Sequence, residues 1–94
     1  FSVNEEVVHG IPGKRKLQDG DIVSVDLGVY YKGYHSDAAR TYAVGEVSAD
    51  KLKLIKVTEE SFFEGLKYAK PGYHLNDISS AIGSYAEKHG YGVV

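Results

Sequence analysis

The sequence contains no cysteine, which removes disulfide frameworks, thiolate metal sites and cysteine nucleophiles together and leaves carboxylates and histidines as the available metal ligands. It contains no methionine either and opens on Phe1, so these 94 residues are expected to be part of a longer translated product. No apolar run approaches the roughly 20 residues needed to span a bilayer, and no signal-peptide pattern is present. With 11 basic against 13 acidic residues the net charge is −2, which supplies no basic footprint for nucleic acid and no polybasic membrane anchor. The apolar share of 43% and charged share of 26% fit a soluble globular domain, and a cytoplasmic location is compatible with all of this.

What is present concentrates in one stretch, Asp21 to Gly45, reading DIVSVDLGVYYKGYHSDAARTYAVG. Alternation predicts two strands joined at Tyr31-Lys32-Gly33. Ser24, Asp26 and Gly28 lie on one face of the first strand, and Val23, Val25, Leu27 and Val29 on the other. On the returning strand His35, Asp37, Ala39 and Thr41 share a face. With Tyr31 and Lys32 at the centre of the turn, Asp26 and Asp37 are expected directly opposite each other; a bulge at Gly33 would move that register by about one residue. Like charges so placed destabilise a sheet unless they hold a proton between them or recruit a cation. Their neighbours Ser24, Gly28 and Ala39 are small, Arg40 falls on the opposite face and Lys32 at the turn tip. Two readings follow: a site for a divalent ion such as Mn, Fe, Co, Zn or Mg, which carboxylate oxygens suit, or an exposed pair, each aspartate solvated or paired with a lysine from elsewhere.

The rest of the chain supplies context. Phe1 to His9 reads as a short strand, and His9-Gly10-Ile11-Pro12-Gly13 as a turn whose proline stiffens the backbone. His9 is therefore either an imidazole held in a fixed place or a surface residue at a strand end. Lys14, Arg15 and Lys16 read as a solvated loop, and Asp19-Gly20 as a tight turn. Helical spacing predicts an amphipathic helix over 49–68 with Leu52, Ile55, Phe62, Leu66 and Ala69 as its stripe, capped by Ser48 and stopped by Pro71-Gly72. A second helix is expected over 75–89 with Leu75, Ile78, Ile82 and Tyr85 as its stripe, closed by Gly90. A further strand is expected from Tyr91. His74 and His89 read as capping residues, and His35 either approaches the carboxylates or fills an exposed position. The order gives an α+β fold, an antiparallel sheet with two helices packed on one face, as a single partial domain over 1–94.

Taken jointly, Ser2-Val3-Asn4-Glu5, His9-Gly10-Ile11-Pro12, Leu17, Asp19-Gly20-Asp21-Ile22-Val23, Asp26, Asp37, Lys70-Pro71-Gly72 and Gly90-Tyr91 resemble the type I methionine aminopeptidases over essentially the whole chain, in register. The resemblance implies the first half of a "pita-bread" fold, with two divalent ions (Co, Mn, Fe or Zn) bound between its halves. It implies that Asp26 and Asp37 are metal ligands, Asp37 bridging both ions, and that His9 is the catalytic, substrate-binding histidine near the scissile bond. The remaining ligands, a histidine in a Gly-His-Gly motif and two glutamates, are expected beyond Val94. So is the second half of the domain, and most walls of the methionine pocket are expected before Phe1 or after Val94. The implied activity is removal of N-terminal methionine from peptides or nascent polypeptides by a monomeric full enzyme, with this piece alone inactive. The other readings are an Xaa-Pro aminopeptidase, a non-catalytic binding module of the same fold and an unrelated α+β interaction domain. Block NEEVVHGIP followed by GDIV favours the methionine enzyme over the first, and two intact aspartates weigh against the second.

Overall fold

The sequence predicts a first strand running to His9, but in the computed structural model, which describes residues 1–94, β1 is Ser2–Val3 alone. Asn4 stops it. Its backbone turns into the left-handed region (φ 52°), which Asn tolerates because a short polar side chain can bond locally. Asn4 Oδ1 accepts the Ile22 N–H at 3.0 Å, and Asn4 Nδ2 donates to Asp21 Oδ1 at 2.9 Å. The chain then turns, with Glu6 N–H donating to Val3 O at 3.1 Å, instead of continuing a ladder.

β2 (Ile22–Tyr31) and β3 (Tyr34–Ala43) are the long strands; β2 is rich in β-branched and aromatic residues, and β3 carries Tyr34, Thr41 and Tyr42 towards its ends. They pair antiparallel along their whole length, and β1 pairs antiparallel on the other side of β2, giving the order β1-β2-β3. Val3 and Val23 face each other in that ladder and are the buried apolar residues of this part of the chain. A turn at Gln18–Asp21, with Gly20 at φ 94°, delivers the chain into β2, as the Asp19-Gly20 pair predicts.

The hairpin turn departs from the expected one. Its two central residues are Lys32 (φ 50°) and Gly33 (φ 82°), flanked by the Tyr31–Tyr34 pair. Two consecutive positive φ values define the type I′ turn that suits the twist of a two-residue hairpin, and glycine is favoured at its second position. A turn centred on Tyr31-Lys32 would instead force a bulky aromatic into the left-handed region. The register therefore shifts by one residue on each strand, while every side chain keeps its face.

The chain divides into two compact units, 1–52 and 53–94. α1 (Ala49–Leu66) begins in the first and continues into the second. Ser48 Oγ accepts the Lys51 N–H at 3.3 Å as its cap. The helix ends at Leu66, short of Tyr68, where the bonds tighten to Tyr68 N–H to Gly65 O and Ala69 N–H to Leu66 O. Its buried residues are Val57, Ser61 and Gly65, spaced four apart, whereas Leu52, Phe62 and Leu66 of the expected stripe are about half exposed. Gly65 accounts for part of the difference: a Cβ there would stand 2.6 Å from Ile82 Cγ1 and 3.2 Å from Ile78 Cγ2. The small face, not the bulky one, admits the second helix.

α2 (Leu75–Lys88) meets that face with Ile78 and Ile82, and Tyr85 Oη donates to Glu60 Oε2 at 2.7 Å. This bond, with desolvation and the nearby Glu60 and Glu64 charges, raises the Tyr85 pKa above its ordinary value. His74 is the N-cap residue, its N–H donating to Asp77 Oδ2 at 2.7 Å. Gly90 (φ 86°) closes the helix with Gly90 N–H to Glu87 O and Tyr91 N–H to Ala86 O, the paired bonds of a Schellman cap. His89 Nδ1 lies 2.8 Å from Tyr85 O. Residues 91–94 do not form the expected strand. Ladder bonds require a neighbouring strand, and the sheet pairs only β1, β2 and β3.

Candidate functional site

Asp26 sits near the middle of β2 and Asp37 near the start of β3, both exposed. The register pairs Asp26 with Ala39 and Gly28 with Asp37. Residues facing one another in an antiparallel ladder project to one side, as do residues two apart on a strand, so both carboxylates share a face. Two direct contacts fix the identity of that face: Ser24 Oγ lies 2.8 Å from Thr41 Oγ1, and the Tyr30 and His35 rings meet at a 44° tilt with 4.7 Å between centroids.

The aspartates are not directly opposite, as the sequence reading expects; they are diagonal neighbours. Direct opposition would bring the Cβ atoms to about 4.5–5.5 Å, whereas diagonal neighbours in a ladder are roughly 7–8 Å apart, with their Cβ atoms somewhat closer. The wider spacing weakens their mutual repulsion and leaves a gap flanked by Gly28 and Ala39, neither of which has a side chain long enough to fill it. Neither carboxylate forms an ion pair within the chain. Two unneutralised carboxylates over small residues fit a divalent cation by donor chemistry. The chain gathers no cluster of three or more His, Cys, Asp or Glu side chains able to hold an ion. His35 shares the face but lies against its cross-strand partner Tyr30.

His9 lies in the loop between β1 and β2, exposed, with a left-handed backbone (φ 58°). The next residue explains how the corner is fixed. Gly10 N–H donates to Ser2 Oγ at 3.1 Å, and a Cβ on Gly10 would stand 2.1 Å from the Phe1 carbonyl oxygen and 2.6 Å from Glu6 Oε2. Glu6 in turn accepts the Val3 N–H at 3.2 Å and lies 3.5 Å from Arg15 Nη1.

Sequence reasoning names Ser2, Asn4 and Asp21 within matching motifs but assigns them no structural role, and these three build this end of the sheet. An Asn followed by a break in apolar alternation is the signal for the second of them. Asp21 accepts the Gln18 N–H at 2.9 Å as well as the Asn4 amide. The backbone bond from Gln18 first, then the Asn4 side chain, lower its pKa below the ordinary 3.8 against an opposing desolvation effect. A carboxyl with a lowered folded pKa contributes stability above its unfolded value and loses it as pH falls through the folded one. Acidification below pH 3.8 is thus expected to release the Asn4–Asp21 latch. The protection of the Gln18 amide against exchange, relative to its intrinsic rate at each pH, should fall there, and Asp21→Asn should remove the pH step; a step that persists in the variant would assign it to another group.

The family model described as metallopeptidase family M24 matches residues 1–94. The chain is 57% identical over 93 residues to methionine aminopeptidase 1 of Bacillus subtilis, covering 99% of this chain and 38% of that protein. It is 58% identical over 94 residues to methionine aminopeptidase of Clostridium acetobutylicum, again covering 99% of this chain and 38% of the relative. Among solved structures, methionine aminopeptidase from Rickettsia prowazekii superposes with a TM-score of 0.92 at 45% identity, over 99% of this chain and 38% of that one. The chain thus spans well under half the length of the curated relatives it matches.

Proposed function

The chain belongs to metallopeptidase family M24, and from that premise we propose that it is the first part of a metal-dependent aminopeptidase that removes the N-terminal methionine of nascent polypeptides in the cytoplasm. The carrying observation is the hairpin register: it brings Asp26 and Asp37 onto one open face as diagonal neighbours with Gly28 and Ala39 between them. Similarity to proteins named methionine aminopeptidase supports the substrate class.

In this reading Asp26 and Asp37 supply two carboxylate ligands to a dinuclear centre of Co, Mn, Fe or Zn, which the second half of the domain completes. Divalent ions bound there supply Lewis acidity and a water acidified toward neutral pH. Hydrolysis of the first peptide bond consumes one water, the hydroxyl ending on the methionine carboxyl and a proton on the departing amine. His9 supplies an imidazole to the substrate amide or to the oxyanion that develops on the scissile carbonyl, a donor role that strengthens as charge builds. Gly28 and Ala39 keep the space beside the carboxylates clear, and the strands hold both aspartates on rigid backbone.

The test is release of free methionine from a Met-Ala peptide by the full-length protein, stripped with a chelator and then resupplied with Co(II) or Mn(II). Activity lost on stripping and restored by metal is expected, with no turnover from residues 1–94 alone. Metal-independent release, or cleavage of Xaa-Pro peptides with none of Met-Ala, would overturn the reading.

A further inference from the structure

A histidine with φ near +58° is uncommon outside turns that need it. His tolerates the left-handed region better than most residues, yet such a conformation persists only where its surroundings hold it. Two contacts hold this one, and both act on the peptide that follows. Gly10 N–H is committed to Ser2 Oγ, and the Gly10 Cα is pressed so close to Phe1 that any Cβ would collide with a backbone oxygen. Ser2 is itself 5% exposed and pairs with Ser24, two residues before Asp26 on the same strand and the same face. Ser24 continues the row to Thr41 by a hydroxyl–hydroxyl bond of 2.8 Å. A line of three hydroxyl residues thus crosses all three strands one row from Asp26, and its first member holds the His9–Gly10 peptide.

From this geometry we infer that Ser2 is a positioning residue for His9: its buried hydroxyl fixes the left-handed corner that sets the imidazole relative to the strand bearing Asp26. The inference rests on the role of His9 given above. A buried serine could instead simply terminate a strand. The distinguishing feature is its acceptor duty, since the N–H it takes belongs to the peptide that defines His9 ψ.

The experiment is a double-substitution cycle in the full-length, metal-loaded protein with a Met-Ala peptide. Ser2→Ala is expected to lower kcat by about ten- to a hundredfold, the scale of a misplaced reacting group, with KM little changed. Ser2→Thr, which keeps the hydroxyl, should restore most of it. In a His9→Ala background Ser2→Ala should cost nearly nothing further, because residues acting through one another are non-additive. Additive losses would make Ser2 merely structural and overturn the inference. Should Ser2→Ala not fold, Ser2→Cys keeps the volume with a much weaker acceptor and carries the same cycle. A second readout needs no activity: amide exchange at Gly10 and the three-bond HN–Hα coupling of His9 should both change in Ser2→Ala and not in Ser2→Thr. If His9→Ala leaves kcat intact, the functional reading of His9 fails; the exchange and coupling data then still decide, by changing or not, whether Ser2 holds the corner.

Discussion

Asp37→Asn in the full-length protein is expected to abolish methionine release from a Met-Ala peptide while leaving the fold intact. The two halves of this expectation come from different physics. Asparagine keeps the size and shape of the side chain but removes the charge that makes a carboxylate a strong ligand for a divalent ion. Charge stabilisation by such an ion is worth several kcal/mol in the transition state, and each 1.4 kcal/mol is a factor of ten, so a loss of about a thousandfold or more follows. Stability should respond in the opposite sense. Asp37 is exposed, and its diagonal neighbour Asp26 carries like charge; removing one of two like charges relieves repulsion. The metal-free variant should therefore melt at the same temperature as the parent or slightly higher. Activity within a few-fold of the parent at full metal loading would sink the role assigned to Asp37, and a collapsed melting transition would mean that the residue holds the hairpin and does no chemistry.

Gly10→Ala is expected to be the second severe change, and Gly13→Ala, three residues away, nearly silent. At Gly10 the added methyl would lie 2.1 Å from the Phe1 carbonyl oxygen, a backbone atom that cannot rotate aside. Relief requires the Gly10 peptide to move, which breaks its bond to Ser2 Oγ and shifts His9 with it. Overpacking of this kind costs about 1–3 kcal/mol in stability, and displacing a reacting group by about 1 Å can cost a hundredfold in rate. At Gly13 nothing lies within 4 Å of the position a Cβ would take, and the loop is exposed. Steady-state kinetics and melting curves for the two variants check this directly. Comparable effects at both positions would mean that the loop responds to loss of glycine flexibility, not to the close approach at Gly10.

The hairpin was legible because period-2 alternation assigns faces whatever the register, and Asp26 and Asp37 do share a face. The register itself was harder to read. It turns on which two residues accept positive φ, and Lys32-Gly33 satisfies that demand where Tyr31-Lys32 cannot. One residue on each strand separates a facing pair of aspartates from a diagonal one. Helix ends with local chemistry were likewise readable: Ser48 caps α1, and Gly90 closes α2 where a left-handed residue is needed. The packed side of α1 was not. Bulk pointed to Leu52, Phe62 and Leu66, but close helix approach selects small residues, and Gly65 admits Ile78 and Ile82. The left-handed Asn4 and the Ser2 clamp escaped for a related reason. Both depend on partners 8 to 18 residues away, and no local pattern encodes those.

The most direct test of the central claim, that Asp26 and Asp37 are metal ligands, is a cobalt(II) titration of the full-length protein by calorimetry. The parent should bind divalent cobalt, and Asp26→Asn and Asp37→Asn should each weaken that binding at least tenfold or lower its stoichiometry, in variants whose melting is unchanged. Equal affinity and stoichiometry in all three proteins would contradict it.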